Sequence, residues 1–291
     1  MSLTAQCEVG RIRRLLLNPA ASTFVSQRAI DAQWQQLNYL ERPDYARAVA
    51  EYADFVALLQ AEDIEIGFLP EAADTTMDAI YIRDASIVSD AGSILCNMGK
   101  LDRHAEPEAC RDGYAAFQTD IRGVIVPPGR IEGGDVAWLD GNTLAVGRGY
   151  RTNDEGIEQL RRLLPETVEL IVVPLPHWQG PADVFHLMSV LSPIDHDLLL
   201  VYSPLLPVPF RELLLARGFE LVEVPTEEFD SMGCNVLALA PRHALMLEGN
   251  PVTRTRLEAA GTQVLTYQGA EISAKGCGGP TCLTRPVLRE A

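Results

Sequence analysis

Residues 135–175 read DVAWLDGNTLAVGRGYRTNDEGIEQLRRLLPETVELIVVPL. A first apolar run breaks at Asp140-Gly141-Asn142, three residues that favour turns, and a second run continues to Gly147. Thr152-Asn153-Asp154-Glu155 then makes a capping-box start to a helix carrying Ile157, Leu160 and Leu164 on one face. The apolar stretch 167–175 ends the unit as a strand. The order is strand, strand, helix, strand.

That order recurs along the chain. Strand pairs are expected at 79–97, 135–147, 184–202 and 235–248, broken by turns at Ser89-Asp90-Ala91-Gly92, Asp140-Gly141-Asn142, Ser192-Pro193-Ile194-Asp195 and Pro241-Arg242-His243. A helix over 106–120 leads to a strand at 123–126, and one over 209–217 leads to a strand at 219–224. Asn250 and Pro251 suit the N-cap and first helical position of a helix stopping at Gly261, with a strand at 263–267 behind it. The C-terminal run 282–288 supplies a single strand. An N-terminal run containing Arg13, Leu15 and Leu17 can complete its pair, followed by a helix with Tyr45, Val49, Tyr52, Phe55 and Leu59 at helical spacing and a strand at 64–69. The expected fold is a closed five-bladed α/β propeller of ββαβ modules with pseudo-fivefold symmetry, forming a single catalytic domain over 1–291. Such closure removes exposed sheet edges. An ordinary open α/β sheet is the alternative.

Composition narrows the partners. With 24 Lys and Arg against 40 Asp and Glu, the net charge is −16, which disfavours nucleic acid and anionic membrane surfaces and draws small cations. The longest apolar stretch, 198–210, is interrupted by Ser203, Pro204, Pro207 and Pro209 and is too short to span a bilayer. The first six residues lack the basic and apolar stretches of a secretory signal, so a cytoplasmic location is expected. Six cysteines, none spaced C-x-x-C, are expected to be free thiols.

Superposing the modules places Asp84, Asp135, His186, Asn235 and Cys282 at equivalent points, at separations of 51, 51, 49 and 47 residues. In a closed ring these positions face one axis. Each also has a plainer explanation: a local Arg83–Asp84 salt bridge, a solvated acidic turn at Glu132-Gly133-Gly134-Asp135, a core histidine, a small buried cysteine. Two glycines between Glu132 and Asp135 would let the backbone turn tightly and aim both acids at one spot. A catalytic thiol needs a base, and His186 can be that base. Carboxylates near the thiol hinder its ionisation unless the substrate brings positive charge. A guanidinium, permanently charged and able to pair with carboxylates two hydrogen bonds at a time, is the best match. Cys277, Cys282 and His186 make a poor zinc set at C-x4-C spacing.

Taken together, Arg42-Pro43-Asp44-Tyr45-Ala46, Asp78-Ala79-Ile80-Tyr81-Ile82-Arg83-Asp84, Glu132-Gly133-Gly134-Asp135-Val136, Gly147-Arg148-Gly149-Tyr150-Arg151-Thr152-Asn153, His186-Leu187, Gly233-Cys234-Asn235 and Gly279-Pro280-Thr281-Cys282 resemble the guanidino-group-modifying superfamily of five-bladed α/β propellers. Among its arginine deiminases, amidinotransferases and dimethylarginine dimethylaminohydrolases, the chain is most similar to the last. The resemblance implies a hydrolase in which Cys282 attacks the guanidinium carbon of arginine or an Nω-methylated arginine, forming a thiouronium intermediate and releasing ammonia or a methylamine, then citrulline. It implies that His186 protonates the leaving amine and activates water, that Glu132 orients His186 and the guanidinium, that Asp78 and Asp84 hold the guanidinium nitrogens, and that Arg103 and Arg151 bind the α-carboxylate. Asp135 would brace the Glu132 turn, and Asn235 matches a family position without an assigned role. No metal or organic cofactor is implied; the partner is a small cationic guanidino substrate, and a homodimer stays open. The chain departs from the deiminases and amidinotransferases at Met188, where they carry Asp, and from the dimethylarginine type at Arg83, where Glu is usual. Residues 20–39, where a lid would lie, do not align. The alternatives are an amidinotransferase or deiminase on another guanidino compound, or a non-catalytic protein binding arginine-like ligands.

Overall fold

The computed structural model describes residues 2–183 and 185–291; Val184, the first residue of the third expected strand pair, lies outside them. The described residues form five small mixed sheets. In four of them an antiparallel pair is followed by a helix and a third strand parallel to the second: Ser86–Ser89, Gly92–Leu95 and Ile121–Val124; Val136–Asp140, Thr143–Arg148 and Glu169–Pro174; Leu191–Asp195, Leu198–Val201 and Glu220–Glu223; Val236–Ala240, His243–Leu247 and Gln263–Tyr267. In the fifth, the C-terminal strand Arg285–Glu290 pairs antiparallel with Ile12–Leu17, which pairs parallel with Glu65–Phe68. The two ends of the chain therefore build one sheet, as the unpaired final run suggested.

Burial falls across each sheet. Ser86–Ser89, Val236–Ala240 and Leu198–Val201 are buried at every position, which is why the last two read as continuous apolar runs rather than alternating ones. The third strands, such as Ile121–Val124 and Glu220–Glu223, alternate with exposed polar residues. The helices cover these outer strands. Tyr45–Gln60 turns Ala48, Tyr52, Phe55 and Leu59 inward and is capped by Asp44, whose carboxylate accepts from the Arg47 N–H at 2.9 Å. Asn153 likewise caps Asp154–Leu163 through Gly156.

Two local expectations need correction. The first strand pair does not begin at Ala79: Met77–Ile80 and Ile82–Ala85 are short 3-10 turns, and pairing starts at Ser86. Asn250 and Pro251 take the N-cap and first helical positions as expected, but the Asn250 side chain does not cap the helix Pro251–Ala259; its amide donates to the carbonyls of Ser231 and Leu247. Glu228 takes over the cap from a preceding loop, accepting from the Val252 and Thr253 N–H groups at 2.7 Å each, where its charge also suits the positive helix end. No described helix is long and apolar enough to cross a membrane. All six cysteines are free.

Candidate active site

Each of the five equivalent residues stands just before the first strand of its sheet. Asp84 precedes Ser86–Ser89, Asp135 precedes Val136–Asp140, His186 precedes Leu191–Asp195, Asn235 precedes Val236–Ala240, and Cys282 precedes Arg285–Glu290. The structure brings four of them to one place and turns the fifth away.

His186 and Glu132 form the centre. The imidazole Nε2 lies 2.7 Å from Glu132 Oε2, and Nδ1 lies 3.9 Å from Asp84 Oδ1. The second Glu132 oxygen accepts from the backbone N–H groups of Gly99 and Lys100 at 2.8 and 3.1 Å, with Arg151 at 3.6 Å. Burial opposes ionisation of Glu132, but its bond to His186 and the charges of His186, Arg151 and Arg103 outweigh it and hold the carboxyl far below its usual range. Burial likewise opposes the imidazolium, yet Asp84, Asp135 and Glu132 together push the His186 pKa up to about 9. Cys282 is partly buried, and Asn235 donates to its sulfur at 3.1 Å while accepting from the Thr281 N–H at 3.1 Å. Burial and the Asp84 charge push the thiol up to about 12. At neutral pH these shifts keep the thiol neutral and the imidazole protonated, and both groups line the same space.

A raised histidine pKa stabilises the fold at pH values below the group's ordinary 6.5, and that contribution is lost as pH rises through about 9. The imidazole protons of His186 are accordingly expected to titrate near 9 by NMR, and Tm to fall between pH 7 and 10 more steeply in the wild type than in Glu132→Gln. Titration near 6.5 would contradict the charge arrangement.

Asp84 does not pair with Arg83, as the plainer explanation had it. Its Oδ2 accepts from Arg103 at 2.6 Å, and its Oδ1 is buried with no hydrogen-bond partner. Arg83 points into the core to Glu8 at 2.6 Å and the Met188 sulfur at 3.2 Å, so the two departures from family pattern touch each other. Arg103, expected at a substrate carboxylate, has its fork taken by Glu106 at 2.8 and 2.7 Å. Asp78 is likewise occupied, by the Lys100 ammonium at 2.6 Å, which also donates to the Leu37 carbonyl at 2.8 Å. Lys100 and Glu106 escaped the sequence reading because neither stands at an equivalent point of the repeat; charge complementarity to Asp78 and Arg103 was their only signal.

Asp135 is the residue turned away. Its oxygens accept from Thr152 Oγ1 at 2.6 Å and from the Leu187 N–H at 3.0 Å, so it ties the 147–153 loop to the chain beside His186. Thr152 Oγ1 in turn accepts from the Glu132 N–H at 3.3 Å. The two acids of the Glu132-Gly133-Gly134-Asp135 turn thus aim at different targets, against the reading of the two glycines, and through Thr152 Asp135 braces the Glu132 turn, as the resemblance implied. The glycines serve close approach instead: a Cβ on Gly134 would stand 2.6 Å from both Asp84 Oδ1 and His186 Nδ1, and one on Gly133 2.2 Å from the Arg83 carbonyl.

Oxygen and nitrogen atoms of Asp84, Glu132 and His186 lie within 4.8 Å of one another, close enough for a metal ion. His186 and Glu132 already bond each other there, and a shared metal would have to break that bond. Cys282 and His186 line two adjoining spaces, one also bounded by Asp78, Asp84, Lys100, Arg103 and Arg151, the other by Trp178, Phe185 and Phe229. The first is a chamber suited by charge to a guanidinium with an anionic tail.

Known proteins share this arrangement of chain. The chain is 27% identical over 249 residues to the N(G),N(G)-dimethylarginine dimethylaminohydrolase of Pseudomonas aeruginosa, covering 85% of this chain and 91% of that protein. It is 29% identical over 249 residues to the enzyme of the same name from Streptomyces coelicolor, covering 84% and 87%. A solved structure of the Pseudomonas aeruginosa enzyme in complex with citrulline superposes with a TM-score of 0.75 over 94% of this chain and 98% of that one, at 24% identity, and so shares its fold. Residues 18–289 match the profile of the family described as N,N dimethylarginine dimethylhydrolase, eukaryotic. On that match the chain belongs to the dimethylarginine dimethylaminohydrolase family, within the guanidino-modifying superfamily.

Proposed function

We propose that this protein is a hydrolase of the guanidinium carbon of arginine or an Nω-methylated arginine, releasing citrulline and ammonia or a methylamine. The observation that carries the proposal is the buried, unpartnered Asp84 Oδ1 beside His186, in a chamber that also borders the Cys282 sulfur. An orphaned buried acceptor is costly unless a donor arrives, and a guanidinium N–H is such a donor.

The chemistry follows from the charges. Burial and the Asp84 charge hold the thiol protonated; binding the cationic guanidinium beside Cys282 offsets that charge, and the thiol proton passes to solvent as the thiolate forms in the complex. The sulfur attacks the guanidinium carbon, and the protonated His186 delivers its proton to the departing nitrogen as the C–N bond breaks. The neutral imidazole then takes a proton from water, whose oxygen adds to the thiouronium carbon. The C–S bond breaks, releasing the ureido product and regenerating the thiolate. Glu132 orients and charges His186 throughout, and Asn235 steadies the sulfur. Arg151 receives the substrate carboxylate. Lys100 holds Asp78 until substrate exchanges one cation for another; Arg103 stays on the second oxygen of Asp84 and reaches a substrate carboxylate only by leaving Glu106. The architecture that brings these residues together is a closed five-bladed ring, the sheet shared by both chain ends joining its last blade to its first, in a single domain over 1–291.

A colorimetric screen for ureido product over arginine, Nω-methylated arginines, agmatine and smaller guanidines tests the proposal. Turnover of an arginine-type substrate with water as the sole acceptor is expected. Turnover only with an added amine would replace it by amidino transfer, and ligand binding without turnover of any compound would replace it by a binding role.

A further inference from the structure

The nucleophile stands between two spaces of unequal size and character. The chamber bounded by Asp78, Asp84, Lys100 and Arg151 holds about 30 Å³ of free volume. The cleft on the other side holds about 300 Å³; Leu40, Trp178, Phe185, Met188, Phe229 and Met232 give it its apolar surface, and Asp183, Asp230 and Gln179 are among its polar residues. Cys282 and His186 border both. Asp84 borders only the chamber and Trp178, Phe185 and Phe229 only the cleft, so a guanidinium donating to Asp84 while its carbon meets the sulfur has its other side toward a cleft whose wall is mostly apolar, with Asp183 and Asp230 also on it.

That wall is built rather than incidental. Phe229 stacks on Tyr202 with ring centroids 4.0 Å apart and planes 15° apart, and Trp178 meets Phe229 edge-on at 6.3 Å and 82°. An apolar cavity of about 150 Å³ accommodates benzene, so this cleft has room for a group of at least that size, far more than the methyl groups of a methylated arginine fill. Empty apolar volume next to the reacting atoms yields binding energy to whichever substrate fills it.

We propose that the cleft is the subsite for the substituent on the nitrogen that leaves, and that the preferred substrates are Nω-substituted guanidines carrying an apolar group of aralkyl size. The proposal rests on the hydrolase reading above. In the first half-reaction the bond from the guanidinium carbon to the substituted nitrogen breaks as the carbon–sulfur bond of Cys282 forms. The imidazolium of His186 gives its proton to that nitrogen, and the apolar amine departs through the cleft.

The test compares Nω-methyl-L-arginine with Nω-benzyl-L-arginine, measuring both ureido product and free amine. In the wild-type protein kcat/KM is expected to be roughly tenfold or more higher for the benzyl compound, the discrimination typical of a filled apolar pocket, with benzylamine released in equal amount to citrulline. Trp178→Ala and Phe229→Leu are each expected to lower the benzyl-to-methyl ratio at least fivefold. Trp178 is 42% exposed, and an unchanged urea midpoint is expected for its replacement. Turnover of the methyl compound with no preference for benzyl, or a preference unmoved by both substitutions, would overturn the subsite and leave the hydrolase standing. Turnover of neither compound, nor of arginine, would overturn both.

Discussion

Cys282→Ser is expected to lower kcat on the best guanidino substrate by at least about 10³-fold, while a citrulline-like ligand binds within a few-fold of wild type. A serine hydroxyl is far less acidic than a thiol, and the one group placed to deprotonate it, His186, is already protonated at neutral pH because its pKa is pushed up to about 9. The groups that bond the sulfur, the Asn235 amide and the Gly279 backbone, are donors, not bases. Rapid-mixing turnover and calorimetric binding measure the two quantities separately. A serine variant keeping more than a tenth of the activity would remove the thiol from the chemistry. The same sulfur offers a second readout: iodoacetamide labelling of the free protein should keep rising up to about pH 12, the thiol's shifted pKa, and a bound guanidinium analogue that leaves the sulfur accessible should move the profile to lower pH. A profile unmoved by the analogue would sink substrate-assisted ionisation.

Arg103→Met is expected to destabilise the protein by about 3–5 kcal/mol in urea unfolding at pH 7, because it strands two buried carboxylates at once. Asp84 loses its 2.6 Å partner and Glu106 its paired contacts at 2.8 and 2.7 Å, all three residues being almost wholly buried. Glu106→Gln should cost much less. Burial outweighs the lowering by Arg103 and pushes the Glu106 pKa up to about 7, so its ionisation itself opposes folding as pH rises from its ordinary 4.5 through 7. The double variant should recover part of the loss. An Arg103→Met protein with unchanged stability and a KM raised a hundredfold would instead make Arg103 a direct substrate ligand.

The two expectations separate roles that the same residue type can play. Within one cluster, Arg151 has, among the described residues, a 3.6 Å contact to Glu132 and a 3.3 Å bond to the Asp183 carbonyl, far less than the fork of Arg103. Arg103 is committed on both faces of its fork. Equal residues with equal burial thus differ in function through what their neighbours already satisfy.

That difference was invisible in the chain of letters. The strand–strand–helix–strand order, the completion of the last sheet by the N-terminus, and the five equivalent positions were all legible in residue order, because apolar periodicity and turn chemistry are local properties that survive without coordinates. So was the case for a guanidinium ligand, which rests on residue types at the equivalent positions. Where pairing decides, the letters were silent. Asp84 follows Arg83 yet bonds Arg103, nineteen residues away; Asp135 sits in the same turn as Glu132 yet serves Thr152 and Leu187; Asn235 meets the Cys282 sulfur across 47 positions; and Lys100 settles on Asp78. The apolar cleft beside the sulfur is likewise assembled from residues 40, 178, 185, 188, 229 and 232, which no repeat or motif connects. Hydrogen bonds and ion pairs depend on separations of about 3 Å, and only the packing of sheets against one another brings distant residues within that range, so the sequence by itself determined which groups are present and the tertiary structure decided which of them are still free to meet a substrate.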